Sequence, residues 1–395
     1  MSTRTPLAWK NLTSSWRKCL LAASGVGFAV VLMFMQIGFR GALIDNNVQI
    51  LAPLDTSYAN LAVISRSRYN LTTEQRFSRR LLEAVAGRCA GGRMMPLQLE
   101  RGTARIHVAG RRPRPIRVMA VETDVPQMFR DPELRQRLAR ARQLGGALVD
   151  RRSKSMYGFA SDVEELRTQY AELNGQQVPL IDFFSMGTDF SSDGTLLMTT
   201  DVYAQYFPWR NPGGEPNEVI DIGLIHLDAV DTDALQLAAA ELQDLAPAQI
   251  QVMPTRDLIA REKAFWLRST PIGKIFTVGV LLGLVVGAII CYQIQFTDIT
   301  DHLPEFATLK AMGYPPAYFV RFVVAQSFYL ACLGFVPGAL ISWGLYALLT
   351  ETSGLIMAMT LVRATIVFTL TLGMCVVSGV FAMRKLFTTD PASLF

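Results

Sequence analysis

Histidine is nearly absent from this chain of 395 residues, with three in all: His107, His226 and His302. None falls in a His-Glu-x-x-His spacing. No paired-cysteine zinc motif occurs, and no Gly-x-Ser-x-Gly turn presents an activated serine. No catalytic residue and no metal ligand is therefore assigned, and a lone histidine in such surroundings is ordinarily a surface or satisfied core residue. A phosphate-cradling loop is missing as well. Gly273-Lys274 has the ending of one, but residues 267–272 carry no glycine at the required place and an apolar run follows directly. Cofactors are therefore expected to be absent from this chain, and any ATP must be bound by a separate one.

Cysteine is scarce too. Of the five, Cys19, Cys291, Cys332 and Cys375 lie in or beside apolar runs, which leaves Cys89 alone between the first two runs. A disulfide framework is excluded there, so that region must stand on its own core. Charge is also low, at 18% of residues against 50% hydrophobic, and mean hydropathy is +0.26. These averages hide two populations, because the charge sits mainly in the middle of the chain. A membrane helix needs roughly 20 mostly apolar residues. Four segments meet that, near 20–39, 275–294, 319–349 and 364–383. The third is longer than one crossing requires and contains Pro337, so it is kinked, extended past the membrane, or preceded by an interfacial stretch. The first has a core too long for a signal peptide, and Gly38-Phe39-Arg40-Gly41-Ala42 makes a poor cleavage site.

The fold class expected is a polytopic α-helical membrane protein. It has four transmembrane helices and a large α+β extracytoplasmic domain between the first and second. Arg4, Lys10, Arg17 and Lys18 precede the first span, and Arg384 and Lys385 follow the last. Four crossings and the positive-inside rule agree on cytoplasmic termini. The expected layout is a cytoplasmic or interfacial helix at 1–19, spans at 20–40, 269–296, 317–349 and 363–384, and an external domain at 41–268. A cytoplasmic loop at 297–316, a short external loop at 350–362 and a tail at 385–395 complete it. The pI near 9.0 owes much to flanking residues and to the arginine runs 111–114 and 135–142. No aromatic-rich basic module accompanies them, which sets nucleic acid aside.

Within 41–268, residues 60–65 and 116–121 read as strands, while 73–86, 132–144 and 233–245 have helical spacing, with 162–173 a further candidate. Asn174-Gly175, Asp193-Gly194 and Asn211-Pro-Gly-Gly214 mark turns. Trp9, Leu12 and Trp16 recur at three- and four-residue spacing, either in a helix along the inner leaflet or in the first turn of the opening span. Gly279, Gly283 and Gly287 lie on one face of the second span, and Gly334 and Gly338 repeat the spacing in the third. Such faces let another backbone come close. Two readings stand: a homodimer interface, or packing within one chain.

The most informative segment is polar and lies between the second and third apolar runs, from Asp298 to Pro316. Asp298, Asp301 and Glu305 are spaced to share a helix face, although Pro304 interrupts that helix or begins a new one. Phe306, Leu309, Met312 and Tyr314 offer apolar contacts and Lys310 a charge, before Gly313 and two prolines end the helix. A short rigid helix there suits docking to a partner that pushes.

At this point the residues resemble a known family. Glu305-Phe-Ala-Thr-Leu-Lys-Ala-Met-Gly313 is similar to the coupling-helix signature of permeases in the FtsX/MacB superfamily of ABC transporters. Arg384-Lys-Leu-Phe-Thr-Thr-Asp-Pro-Ala392 resembles that superfamily's C-terminal motif, and Leu7-Ala-Trp-Lys-Asn-Leu12 its start. The likeness to the DevC group runs through Phe34-Met-Gln-Ile-Gly-Phe39, Gly187-Thr-Asp-Phe190, Thr270-Pro-Ile-Gly273 and Val286-Gly-Ala-Ile-Ile-Cys-Tyr-Gln-Ile294.

The resemblance implies a bacterial inner-membrane permease that pairs with a second copy of itself and with ABC ATPase subunits carrying ATP and Mg. Glu305, Phe306, Leu309, Lys310, Met312 and Gly313 would dock on the ATPase. ATP-driven closure would rock the spans and move the periplasmic domain. A periplasmic adaptor and an outer-membrane duct are further implied partners, membrane lipids surround the spans, and the cargo would be lipid-like, such as a glycolipid. The alternative is a non-transporting, FtsX-like transducer that regulates an envelope hydrolase.

Overall fold

The computed structural model describes residues 16–89, 92–189, 191–210, 218–228, 231–353 and 357–383. The amphipathic start around Trp9 and Leu12, the Asn211 turn and the C-terminal motif lie outside the described residues. The chain divides into two units, one of residues 1–41, 271–349 and 357–395, the other of 42–270 with 350–356.

The second unit is built on an eight-stranded mixed sheet with two small sheets beside it. Its strands, in chain order, are β1 (Leu61–Ser65), β2 (Phe77–Ser78), β3 (Arg93–Glu100), β4 (Arg105–Val108), β5 (Arg114–Pro115), β6 (Arg117–Val121), β7 (Ala147–Asp150), β8 (Ala171–Leu173), β9 (Gln176–Gln177), β10 (Leu180–Phe184), β11 (Thr195–Thr199), β12 (Val219–Ile220), β13 (Ile222–His226) and β14 (Ile250–Pro254). The large sheet runs β10-β7-β11-β6-β3-β13-β1-β14. The pairs β10–β7 and β11–β6 are parallel, and the other pairs are antiparallel.

Both faces of the sheet are covered, which is why β1 reads Leu-Ala-Val-Ile without a polar break. Successive side chains alternate faces. Leu61 and Val63 join one core with Leu82, Val85, Leu235 and Leu242 from helices Arg79–Ala86 and Thr232–Leu245. Ala62 and Ile64 join another with Leu97, Met119, Leu134, Leu138 and Leu258. The helix Pro132–Gln143 that supplies Leu134 starts on Asp131, whose carboxylate accepts from the Glu133 amide at 2.9 Å, with proline in the first turn and arginines in the last.

Two expected helices are shorter than their spacing suggests. The one expected over 73–86 begins only at Arg79, because Asn70 Oδ1 caps the Thr73 amide and β2 pairs with β12. The one expected over 162–173 stops at Thr168, since Ala171–Leu173 pairs with both β4 and β9. Asn174 (φ 54°) and Gly175 (φ 79°) form the two-residue turn between β8 and β9, left-handed at both positions as such a hairpin requires.

The other unit holds helices long and apolar enough to cross a membrane: Trp16–Asn47, Pro271–Asp301, Pro316–Ser353 and Leu361–Ala382. The first runs on past residue 40 and the second past 296. Pro337 lies inside the third, which is one continuous helix.

Within that unit the glycine face of the second long helix is already occupied. A Cβ placed on Gly279 would sit 2.4 Å from Gln36 Oε1, and one on Gly287 would sit 2.6 Å from Met374 Sδ and 2.8 Å from the Ala29 Cβ. Gly283 is buried against Leu32 and Met33. Gly334 and Gly338 press on Val26 and Val30 in the same way. The neighbours at these glycines belong to the first and fourth long helices of the same chain, which is the packing contact of the two readings open in the sequence.

Candidate functional site

The short helix Leu303–Ala311 follows directly on the second long helix, with His302 between them at a non-helical φ and ψ. Pro304 stands in its first turn, so it begins this helix instead of breaking the previous one. The far end is closed by two backbone bonds. The Gly313 amide donates to the Lys310 carbonyl at 3.0 Å, and the Tyr314 amide to the Leu309 carbonyl at 3.2 Å. Gly313 has φ 87°, the left-handed conformation this Schellman closure requires and that glycine adopts without a Cβ clash. The third long helix begins at Pro316.

The two faces of the short helix differ. Leu303 and Phe306 are buried, in a cluster with Ile299, Phe319, Val323, Ala382 and Met383, and Leu309 packs against its edge. The Phe306 ring meets Phe322 edge-on at 5.4 Å and Phe319 at 6.2 Å. Phe306 therefore anchors the helix to its own chain and presents no surface outward. The outward face is Pro304, Glu305, Thr308 and Met312, continued by Gly313 and Tyr314. Met312 is 61% exposed, a high value for so apolar a side chain. Lys310 is half-buried. The acidic stripe is split: Asp298 Oδ2 accepts from Gln326 Nε2 at 2.5 Å, whereas Glu305 is exposed.

Behind this element, neutral polar groups tie three long helices together. Gln295 Nε2 donates to the Cys375 carbonyl at 2.9 Å, Ser327 Oγ to Gln295 Oε1 at 3.0 Å, and Ser378 Oγ to the Ala288 carbonyl at 2.8 Å. The Cys291 and Cys375 thiols are 3.4 Å apart. Gly379 leaves room for this cluster, since a Cβ there would fall 2.2 Å from Gln295 Oε1.

In the sheet unit the sequence reading missed two buried ionic groups. Arg68 Nη1 donates to the Asp221 carbonyl at 2.7 Å and lies 3.7 Å from its carboxylate. Arg76 and Arg210 reach Glu100 at 3.3 and 2.5 Å and also face Glu74. Three guanidiniums thus stand among three carboxylates. Burial pushes the Asp221 carboxyl up to about 6 despite the opposing pull of Arg68 and Arg76. The second group joins Arg117 to Asp189 and Thr195, with Asp189 drawn from the stretch Gly187-Thr-Asp-Phe190 singled out in the sequence. Burial alone would raise the Asp189 carboxyl, but Arg117 and the Ser191 hydroxyl hold it below its ordinary value. Each histidine also has a local partner: His107 faces Glu172, His226 bonds Tyr58 and Asp228, and His302 bonds the Asp298 carbonyl. Among the described residues no three potential metal ligands converge.

Residues 277–391 match the family model of the FtsX-like permease C-terminal domain. Among solved structures, the chain is similar to the extracellular domain of the noncanonical ABC-type transporter YknZ from Gram-positive bacteria. The identity is 12%, the TM-score 0.31, and the match covers 49% of this chain and 100% of that one. That score is too low to assign the sheet unit's fold. No curated protein matches the chain. The family match takes in the short helix, its glycine closure and most of three long helices, and over that stretch this chain is similar to the FtsX-like permeases.

Proposed function

We propose that this chain is the permease subunit of a MacB-type exporter, working with a separate ABC ATPase that binds ATP and Mg. The observation that carries the reading is the two-sided short helix. Phe306 fixes it to the third long helix, and Met312 stands exposed beside Glu305 and Thr308. An apolar side chain held out on a rigid, charged surface is what a groove on a partner takes. Glu305, Leu309, Lys310, Met312 and Gly313 form or border the docking face, with Phe306 as its internal anchor. Motion of the ATPase would pass through this helix to the long helices and on to the domain between the first two of them. Both termini would be cytoplasmic in a bacterial inner membrane, with that domain periplasmic. The DevC likeness favours a lipid-like cargo such as a glycolipid, handed to a periplasmic adaptor and an outer-membrane duct. Pairing with a second copy would use a face other than the glycine face.

The test is purification of tagged protein from its native membranes, followed by mass spectrometry. An ATPase should co-purify, and Met312→Arg should reduce its recovery by about tenfold or more, because a charge would be forced into an apolar groove. The substitution sits on an exposed position and leaves the Phe306 cluster intact. Unchanged ATPase recovery would overturn the docking assignment. An adaptor among the partners supports export, whereas an envelope hydrolase without one would replace it with the transducer reading.

A further inference from the structure

The sheet unit contains a cavity of about 280 Å³ lined by Arg101, Arg114, Arg117, Ile116, Met156 and Tyr157, with Ser191 to Asp193 at its rim. Its charges do not balance. Arg117 is taken by Asp189, and the rim carboxylate Asp193 is taken by Lys154 at 2.5 Å. Among the described residues, Arg101 and Arg114 have no carboxylate within ion-pair distance. Arg101 is held by carbonyls alone, those of Thr72 and Ser191. Arg114 makes no side-chain hydrogen bond among the described residues, and its buried Nε lacks a partner. Burial, together with the neighbouring Arg117 charge and against the pull of Asp189, drives the Arg101 guanidinium below its ordinary value. An anion in the cavity would relieve that strain.

The arginine run 111–114 reads in the sequence as plain exposed basicity, and the structure divides it. Arg111 and Arg112 are exposed, whereas Arg114 is half-buried on β5 at the cavity. Guanidinium forks match tetrahedral, multiply charged oxyanions. Ligand pockets usually span roughly 300–1,000 Å³, so this one is the size of a headgroup and not of a whole amphiphile. Ile116, Met156 and the Tyr157 ring supply an apolar wall for a short carbon skeleton.

We propose that this cavity binds a phosphate ester, free or as the headgroup of a lipid, through the guanidiniums of Arg101 and Arg114. The proposal does not depend on ATPase docking. It is tested by isothermal titration of the full-length protein in a neutral detergent with inorganic phosphate, glycerol 3-phosphate, glycolate and dihexanoyl phosphatidylglycerol. Saturable binding of at least one phosphate compound is expected. Arg114→Gln should weaken it by at least about tenfold, the loss of one charge-assisted contact. Arg112→Gln makes the same charge change outside the cavity and should alter it by less than about twofold. Glycerol 3-phosphate binding as tightly as the short-chain lipid identifies a soluble ester, and binding of the lipid alone identifies a headgroup. No saturable binding by any phosphate compound, equal losses in the two variants, or glycolate binding as tightly as the phosphates would each overturn it. A melting curve for Arg114→Gln matching the parent's makes its loss of binding a local effect.

Discussion

Arg68, Arg117, Asp150, Asp221 and Glu262 are all buried in the unit built on the sheet. The buried polar side chains of the long-helix unit, among the described residues, are Gln295, Gln326, Ser327, Ser342, Thr371 and Ser378. Among the described residues, one unit hides full charges and the other hides only neutral groups. The difference follows from the solvent each segment suits. A domain that folds in water can bury an arginine where several carboxylates and carbonyls receive it. Helices apolar enough for a bilayer face a larger penalty for any ion at mid-depth. They gain cohesion instead from close glycine contacts and modest interhelical hydrogen bonds.

Asp221→Asn should break the comparison hardest. It leaves Arg68 buried without its nearest carboxylate, and a loss of about 3–5 kcal/mol in unfolding free energy is expected, read from chemical denaturation followed on the sheet unit. A loss below about 1 kcal/mol would mean that the ionic group is ornamental, since that is the range of an exposed pair. Asp189→Asn should lose less, because Thr195 still bonds Arg117 at 2.9 and 3.1 Å. Its readout is pH. The folded Asp189 value lies below the unfolded one, so its contribution is complete above the ordinary carboxylate value and disappears as pH falls through the lowered folded value. The parent should therefore lose stability on acidification more steeply than the variant, and parallel acid melts would contradict this.

On the helical side, Gly287→Leu should lower stability by about 1–3 kcal/mol through overpacking against Met374 and Ala29, seen as a lower melting temperature in detergent. If stability is unchanged while crosslinked dimer yield falls, the glycine face works between chains after all. The smallest effect is expected from Ser327→Ala, about 0.6 kcal/mol for one interhelical bond. A loss comparable to that of Asp221→Asn would erase the contrast between the units.

The parts legible in the sequence are those fixed by local pattern. Long apolar runs announce the four helices, Leu61–Ser65 and Arg117–Val121 show strand composition, and Asn174-Gly175 declares its turn. The short helix, with its glycine and prolines, was legible for the same reason. Charged residues were not. Arg68 and Asp221 lie 153 positions apart, and nothing near either one distinguishes a buried arginine from a solvated one. The glycine spacing revealed a packing face but not its partner, because small residues serve an internal neighbour and a second copy equally well. Phe306 and Met312 are both apolar within one short segment. Only the arrival of Phe319 and Phe322 from the next helix decides which turns inward.

The closure at Gly313 has a consequence beyond ending a helix. Between the Leu309 carbonyl, already bonded by Tyr314, and the start of the third long helix at Pro316 there is almost no free chain. The proline at that start has a fixed φ, so little torsional slack remains in the join. The position of one glycine thus sets the rotational phase of a helix that runs to Ser353. Which of its side chains meet the first long helix, as Gly334 and Gly338 do, and which point away is decided before its first turn is made.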